Sequence, residues 1–478
     1  MPWNFESTYL QLPENFYHKQ MASAVPTPQK VITNEFLMET LGLTPNDLEE
    51  SVLCGRKKAP GSEPFAQAYA GHQYAHFTFL GDGRALVLGE QVSPTGERFD
   101  IQLKGSGRTP FSRMGDGKAA LGPMLREYLI SEAMHYLGIP STRSLAVLTT
   151  GEPVFRETVL PGAILVRVAS SHIRVGTFEF AARLNDINKI KALADYTLER
   201  HFPEIKDSTN CYVELLRQVS KRQGRLIANW LLVGFVHGVM NTDNMSICGE
   251  TIDYGPCAFI NSYNPSAVFS SIDRYGRYSF SNQPSVGLWN LARFAETLLP
   301  LMDSDLEKAK GKAEKALSGF TAEFQGAWRS GMGLKLGFSD VKDVELKLIE
   351  RFLKLLEEHR ADFTGTFRDL STPAFNDSEF FKNSTVVDWQ RDWREVLSKN
   401  GASFEKKQMF MKSVNPAVIP RNHLVEKALE AAHQGDFYFF HRLLEAVRNP
   451  YQLDPEHQDL MAPPFPEQEE GYRTFCGT

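Results

Sequence analysis

No stretch of this chain is long and apolar enough to span a bilayer; the best candidate, Trp230 to Val236, is interrupted by Gly234 and stops at His237. No membrane association is therefore expected. Cysteine is scarce, with five residues among 478, and no Cys-x-x-Cys pair or zinc-ligand spacing occurs, which fits a reducing compartment. The start, Met-Pro-Trp-Asn-Phe-Glu, lacks the basic and apolar parts of a secretory signal, so a cytoplasmic location is expected. A formal net charge of -6 supplies no excess of cations to hold a polyanion, and nucleic acid is not an expected partner. There is no internal repeat and no low-complexity block. The serine-hydrolase pattern G-x-S-x-G is missing, since Gly105-Ser-Gly107 lacks the spacing.

What remains is an ordinary globular composition, 42% hydrophobic and 23% charged, in a chain longer than one hydrophobic core usually supports. Two lobes or more are expected. Residues 65–170 carry short β signals at Ala75–Leu80, Arg84–Gln91, Phe99–Lys104, Leu145–Thr149, Val154–Val159 and Ala163–Ala169. One strong helix interrupts them: Met124, Leu125, Tyr128, Leu129, Ala133 and Leu137 recur at helical spacing until Gly138-Ile139-Pro140 ends the run. After Ser170 the periodicity is helical, over Asn185–Arg200, Tyr212–Met240, Gly287–Leu299, Leu306–Met332, Val341–His359, Val386–Ser398, Leu424–Gly435 and Phe437–Val447, with a β-turn-β expected at Met245–Ile252. The tail from Asn449 is rich in Pro, Glu and Gln and is expected to lie extended on the surface. The expected division is an N-terminal extension (1–64), a β-rich lobe (65–170), a helical lobe (171–448) and a tail (449–478).

The chemistry-bearing residues fall at telling intervals. His237 and Asn244 have the separation of the kinase pattern H-R-D-x-x-x-x-N, and Asp253-Tyr254-Gly255 occupies the place of D-F-G. Val239 stands where the kinase aspartate belongs, and the nearest carboxylate is Asp243. Asn244 and Asp253 offer hard oxygen ligands suited to Mg²⁺ held with phosphates, while Asp243 is placed to orient a hydroxyl or accept its proton. An Asx turn is the plainer account of Asp243-Asn244.

Upstream, Gly81-Asp-Gly83-Arg84 is a glycine turn between strands, either a plain hairpin or a phosphate cradle with Arg84 as donor. Lys104 ends the strand Asp100-Ile-Gln-Leu-Lys104 as the lysine of V-A-I-K does, and Glu127 or Glu132 on the following helix would aim it. The loop from Gly105 to Lys118, including Asp116 and Gly117, is either a polyphosphate grip or a flexible surface segment. Arg167, in an apolar strand, and Arg174 need partners, which a carboxylate or a phosphate would supply. His72 and His76 could share a helix face as metal ligands, but no third ligand accompanies them and hydrogen-bonded structural roles are expected.

The strings Gly71-His-Gln, Gly81-Asp-Gly-Arg84, Leu103-Lys-Gly-Ser-Gly-Arg-Thr-Pro-Phe-Ser-Arg113, Leu125-Arg-Glu-Tyr, Asn241-Thr-Asp-Asn-Met and Ile252-Asp-Tyr-Gly-Pro256 resemble those of the selenoprotein O family of pseudokinases. The resemblance spans nearly the whole chain. It implies an α+β, protein-kinase-like bilobal fold, with a mixed β-rich N-lobe and a mostly α-helical C-lobe carrying family-specific extensions. It also implies an enzyme that binds ATP in inverted orientation with Mg²⁺, or Mn²⁺ in its place. AMP would pass to Ser, Thr or Tyr hydroxyls of proteins, releasing pyrophosphate; a monomer is expected. By the same resemblance Lys104 contacts phosphate and pairs with Glu127. Gly81, Gly83, Arg84, Asp116, Gly117, Arg167 and Arg174 line the nucleotide site. Asp243 acts as base, and Asn244 and Asp253 bind the metal. A redox-sensitive disulfide from the C-terminal cysteine is implied too. Cys476 matches that position, and its partner stays open, since Phe269–Asp273 has no cysteine and Cys257 or another thiol would have to serve. The rival readings are a kinase transferring the γ-phosphate and an inactive nucleotide-binding scaffold.

Overall fold

The computed structural model describes residues 3–373, 375, 378–399, 402–452, 454–469 and 471–475. Strands β1 (Phe5–Glu6), β2 (Tyr17–Lys19), β3 (Gln29–Thr33) and β4 (Phe65–Gln67) precede a separate hairpin of β5 (Ala70–Gln73) and β6 (His76–Phe79). Then come β7 (Ala85–Val92), β8 (Arg98–Lys104), β9 (Ala119–Ala120), β10 (Arg143–Phe155) and β11 (Val159–Ala169). The main sheet is antiparallel in the order β2-β4-β7-β8-β11-β10-β3, with β1 on β7 and β9 on β11. Residues 1–64, expected only as an extension, thus supply three of its strands. The expected strands at 145–149 and 154–159 are one long strand and the turn that follows it, because β10 runs through to Phe155 before reversing into β11.

Side-chain alternation gives the sheet two different faces. On β11, Ile164, Val166 and Val168 enter an apolar cluster with Ile101 and Leu103 of β8, beneath the short helices α1 (Glu35–Thr40) and α2 (Glu50–Leu53). The opposite face carries Leu165 and Arg167, and the register Leu165↔Lys104 and Arg167↔Gln102 puts Lys104 and Gln102 beside them. Helix α3 (Leu121–Tyr136) covers that face and is buried on nearly every side. It ends in a Schellman turn, with Gly138 at φ +78° and Ile139 N–H donating to Met134 O at 2.9 Å.

The helical part begins with α4 (Val175–Arg183) and α5 (Ile187–His201), then α6 (Cys211–Leu232), α7 (Gln283–Met302) and α8 (Leu306–Lys335). Helices follow at Asp343–Glu358, Phe363–Leu370, Ser384–Ser398, Phe404–Val414, Asn422–His433 and Tyr438–Arg448. Among the described residues no helix is long and apolar enough to cross a membrane.

Three expectations need correction. The helix expected to reach Met240 stops at Leu232, because Gly234 takes φ +76° and the chain turns into strand β12 (Phe235–Val236), which pairs with β13 (Ala258–Phe259). Met245–Ile252 is not a hairpin of its own. Its backbone bonds outward instead, with Val175 N–H donating to Met245 O, Ile247 N–H to Ile173 O and Thr251 N–H to Pro140 O. The tail is not wholly extended, since Pro455–Met461 and Pro466–Glu469 form short helical turns. Cys476 lies outside the described residues.

Candidate active site

The end of β8, the middle of β11 and the segment after β12 converge on one cavity of about 870 Å³, with helix α3 behind it. Lys104 Nζ lies 2.6 Å from Glu127 Oε2 of α3 and 2.6 Å from Asp253 Oδ1. Arg167 Nη1 bonds the same Asp253 oxygen at 2.8 Å and Glu127 Oε1 at 3.2 Å. Two cations and two carboxylates therefore share one buried cluster, and Glu132, the alternative partner for Lys104, is taken by Arg143 at 2.6 Å instead. Gln102 Oε1 accepts from both Nε and Nη2 of Arg167, fixing the plane of its guanidinium.

Asp253 sits at φ +64°, a left-handed conformation that aspartate tolerates better than most residues and that the D-Y-G spacing alone does not reveal. Burial raises its carboxyl, but Arg167, Lys104 and Arg174 outweigh that and hold it well below the usual carboxylate range. It is an anion at any physiological pH.

Asp243 behaves differently. Burial pushes it up to about 7, against a backbone amide, Arg174 and Gln73, which act to lower it. Its Oδ1 is buried without a hydrogen-bond partner. Asn244 donates from Nδ2 to Val239 O at 3.0 Å, which leaves its Oδ1 for the cavity that the residue lines.

Of the twelve residues singled out from sequence, Gly81, Gly83, Arg84, Lys104, Asp116, Gly117, Arg167, Arg174, Asp243, Asn244 and Asp253 all line this cavity. Glu127 stands just behind it, reaching it through Lys104. The glycines serve a purpose beyond open amides: a Cβ on Gly81 would meet the Phe111 ring at 2.7 Å, so glycine lets the 105–118 loop fold down on the turn. Asp116 faces the mouth, where Arg156 holds it through Nη1 at 2.8 Å and Nη2 at 3.1 Å.

Sequence reading missed several contributors. Tyr69 stacks under Arg174 at 4.3 Å, and buried Asp82 lies 3.9 Å from the same guanidinium. Gln102 could have been found, because it is two residues from Lys104 on one strand and so shares its face. Arg156, 40 residues from Asp116, left no such signal. His72 and His76 sit on opposite strands of the β5–β6 hairpin and share no helix face, and no cluster of three metal-ligating side chains occurs among the described residues.

The residues suit a nucleotide polyphosphate with its metal. Buried Arg84 Nη1 and Arg174 Nε have no partner, and both side chains line the cavity beside Lys104 and Arg167. Donors left open in this way call for an anion. Asn244 and Asp253 offer the oxygen donors that would suit a divalent cation completed by phosphates and water.

Residues 1–448 match the family model described as Protein adenylyltransferase SelO. The chain belongs to the SelO family. Relatives named Protein nucleotidyltransferase YdiU from Bacillus cytotoxicus and Brevibacillus brevis are each 54% identical to it, over 100% of this chain and 98% of their own. The YdiU protein of Geobacillus kaustophilus is likewise 54% identical over 100% of this SelO-family chain and 99% of the relative. The residues of the cavity thus belong to a chain similar end to end to proteins named for nucleotidyl transfer.

Proposed function

We propose that this chain is a protein adenylyltransferase that moves AMP from ATP to Ser, Thr or Tyr hydroxyls of protein acceptors. The observation that carries this reading is the convergence of Lys104, Arg167, Glu127 and Asp253 in one buried cluster on the cavity that Asp243 and Asn244 also line. In this reading the sheet with α3, including the strands β1–β3 from residues 1–64, is the N-lobe of a kinase-like fold and the helical region its C-lobe, with boundaries near 170 and 448. The protein acts as a cytoplasmic monomer.

Lys104, Arg84, Arg167 and Arg174 hold the phosphates, and their donors offset the charge that builds on pyrophosphate as it leaves. Mg²⁺, or Mn²⁺, bound at Asn244 and Asp253 neutralises phosphate charge when present. Asp243 Oδ1 receives the acceptor hydroxyl. The hydroxyl oxygen forms a bond to the α-phosphorus, the bond from that phosphorus to the α,β-bridging oxygen breaks, and the hydroxyl proton passes to Asp243. Those four cations, all lining the cavity, favour holding the β- and γ-phosphates beside them and leaving the α-phosphorus nearer Asp243, which suits the inverted nucleotide.

Incubation with ATP labelled at either phosphate tests the reading. Label on protein from the α position and none from the γ position is the expected result. Retention of γ label would mean a kinase, and no label from either position would mean a nucleotide-binding scaffold.

A further inference from the structure

The β5–β6 hairpin stands apart from the main sheet and folds onto the segment that carries Asp243. At its turn Tyr74 and Ala75 take φ +50° and +69°, and Tyr74 N–H donates to Asn241 Oδ1 at 3.1 Å. On the preceding strand His72 N–H donates to Thr242 Oγ1 at 2.7 Å. The Thr242 hydroxyl in turn donates a hydrogen bond to Glu179 Oε2, and His72 Nδ1 bonds Glu179 Oε1. The relay closes on itself: hairpin backbone to Thr242, Thr242 to Glu179 of α4, and Glu179 back to the hairpin through the His72 ring.

Packing reinforces it. A Cβ on Gly71 would meet Asp243 Cβ and Cγ at 2.9 Å, so the hairpin backbone lies directly on that carboxylate. Gln73 Nε2 reaches Asp243 Oδ2 at 3.4 Å, a contact too long to fix the group. Thr242–Asn244 is a single three-residue turn of 3₁₀ helix, which has too few internal hydrogen bonds to orient itself. Its orientation comes from outside: Thr242 ties it to the hairpin and to α4, beside the tethers at Asn241 and Asn244.

We propose that His72, Glu179 and Thr242 are positioning residues for adenylyl transfer, holding the Thr242–Asn244 turn so that the unpartnered Oδ1 of Asp243 meets the acceptor hydroxyl. The proposal rests on the reading of Asp243 as the group that receives that hydroxyl. The relay does not touch the phosphate-binding cations. Its loss therefore slows the chemical step and leaves ATP binding alone, since a displacement of about 1 Å at the reacting group is worth about 100-fold in rate.

The test is the rate of self-labelling by the full-length protein with α-labelled ATP, measured against ATP concentration, with the thermal midpoint recorded for each variant. Thr242→Val keeps the shape and removes the hydroxyl; Glu179→Gln keeps the size and replaces one acceptor oxygen by a donor. Each is expected to lower the maximal rate about 10- to 100-fold while the half-saturating ATP concentration stays within about twofold. Thr242→Ser, which keeps the hydroxyl, is expected to recover the rate to within about threefold. A folded Thr242→Val or Glu179→Gln protein with the wild-type rate overturns the proposal, and so does a Thr242→Ser protein as slow as Thr242→Val. If Thr242→Val does not fold, Glu179→Gln carries the same expectation. Absence of α label on the wild-type protein would instead overturn the adenylyltransferase reading itself.

Discussion

Arg167 donates to Asp253 Oδ1 at 2.8 Å, tying the middle of a sheet strand to the segment between β12 and β13. Lys104 donates to that same oxygen at 2.6 Å, so one carboxylate oxygen anchors cations from two adjacent strands. Asp253→Asn keeps the size and tolerates the left-handed backbone but removes the anion between them. We expect AMP incorporation to fall by about 100-fold or more, as when a preorganised charge is removed from an active site. Equal incorporation by variant and wild type would remove Asp253 from the metal and phosphate site.

Lys104 has a different expected signature. Its ammonium is held between Glu127 and Asp253 and lines the cavity, so Lys104→Met keeps the stem and removes one phosphate donor. The expected loss is on the order of 2–4 kcal/mol of transition-state stabilisation, or about 30- to 1000-fold in the rate of transfer. Unchanged kinetics in a folded variant would show that the pair with Glu127 is structural only.

Charges in apolar surroundings made much of this site legible in sequence. Lys104 and Arg167 stand out because their strand neighbours are apolar and alternate, and a cation there must face something polar. A different period, apolar residues three and four apart, is why the helix at 121–136 could be read, whereas the order of strands in the sheet was not. What escaped was structure that owes its existence to distant contacts. Helix α4 begins Val175-Gly-Thr, a weak helix sequence, and Gly176 is needed because a side chain there would press on Ala70 and on Asp243 Cα at 3.2 Å. Met245–Ile252 has the apolar content of a short hairpin, yet its backbone partners lie at 140 and 173–175, at least 70 residues away. The Gly71-His-Gln string was visible and its histidine reads as a hydrogen-bonded structural residue, but its partner Glu179, 107 residues away, was not.

Arg200 carries a prediction about stability. From α5 it bonds Glu90 Oε2 of β7 at 2.5 Å and Asp100 Oδ1 of β8 at 2.8 Å, and all three side chains are buried. Arg200→Met fills much of the same volume but takes the central cation from two buried carboxylates, leaving Glu90 with Arg98 at 4.0 Å and Asp100 with His172. The expected cost is about 3–5 kcal/mol, read as a lower urea midpoint. A midpoint within error of the wild type would mean that water or a neighbouring cation replaces the guanidinium.

His172 sets a pH limit on the fold. Its ring is fully buried, and burial lowers it to about 4 from 6.5, against the opposing pull of Asp100, whose Oδ2 is 3.2 Å from Nδ1. The other charges facing it, Arg167 and Arg174, lower it further. Below pH 6.5 the unfolded chain takes up a proton at this position, while the folded chain stays neutral until near pH 4. The unfolded state then binds more protons, so stability falls as pH falls across that window, by on the order of 3 kcal/mol from this one group. Asp100 acts in a lower range: burial raises it, but Arg200 and His172 hold it below its ordinary value, so its contribution is lost only under more acid conditions. His172→Asn keeps a donor for Asp100 and cannot titrate. Urea midpoints measured from pH 7 to pH 4.5 should decline less steeply for this variant than for the wild type, and parallel curves would place the acid sensitivity in another group.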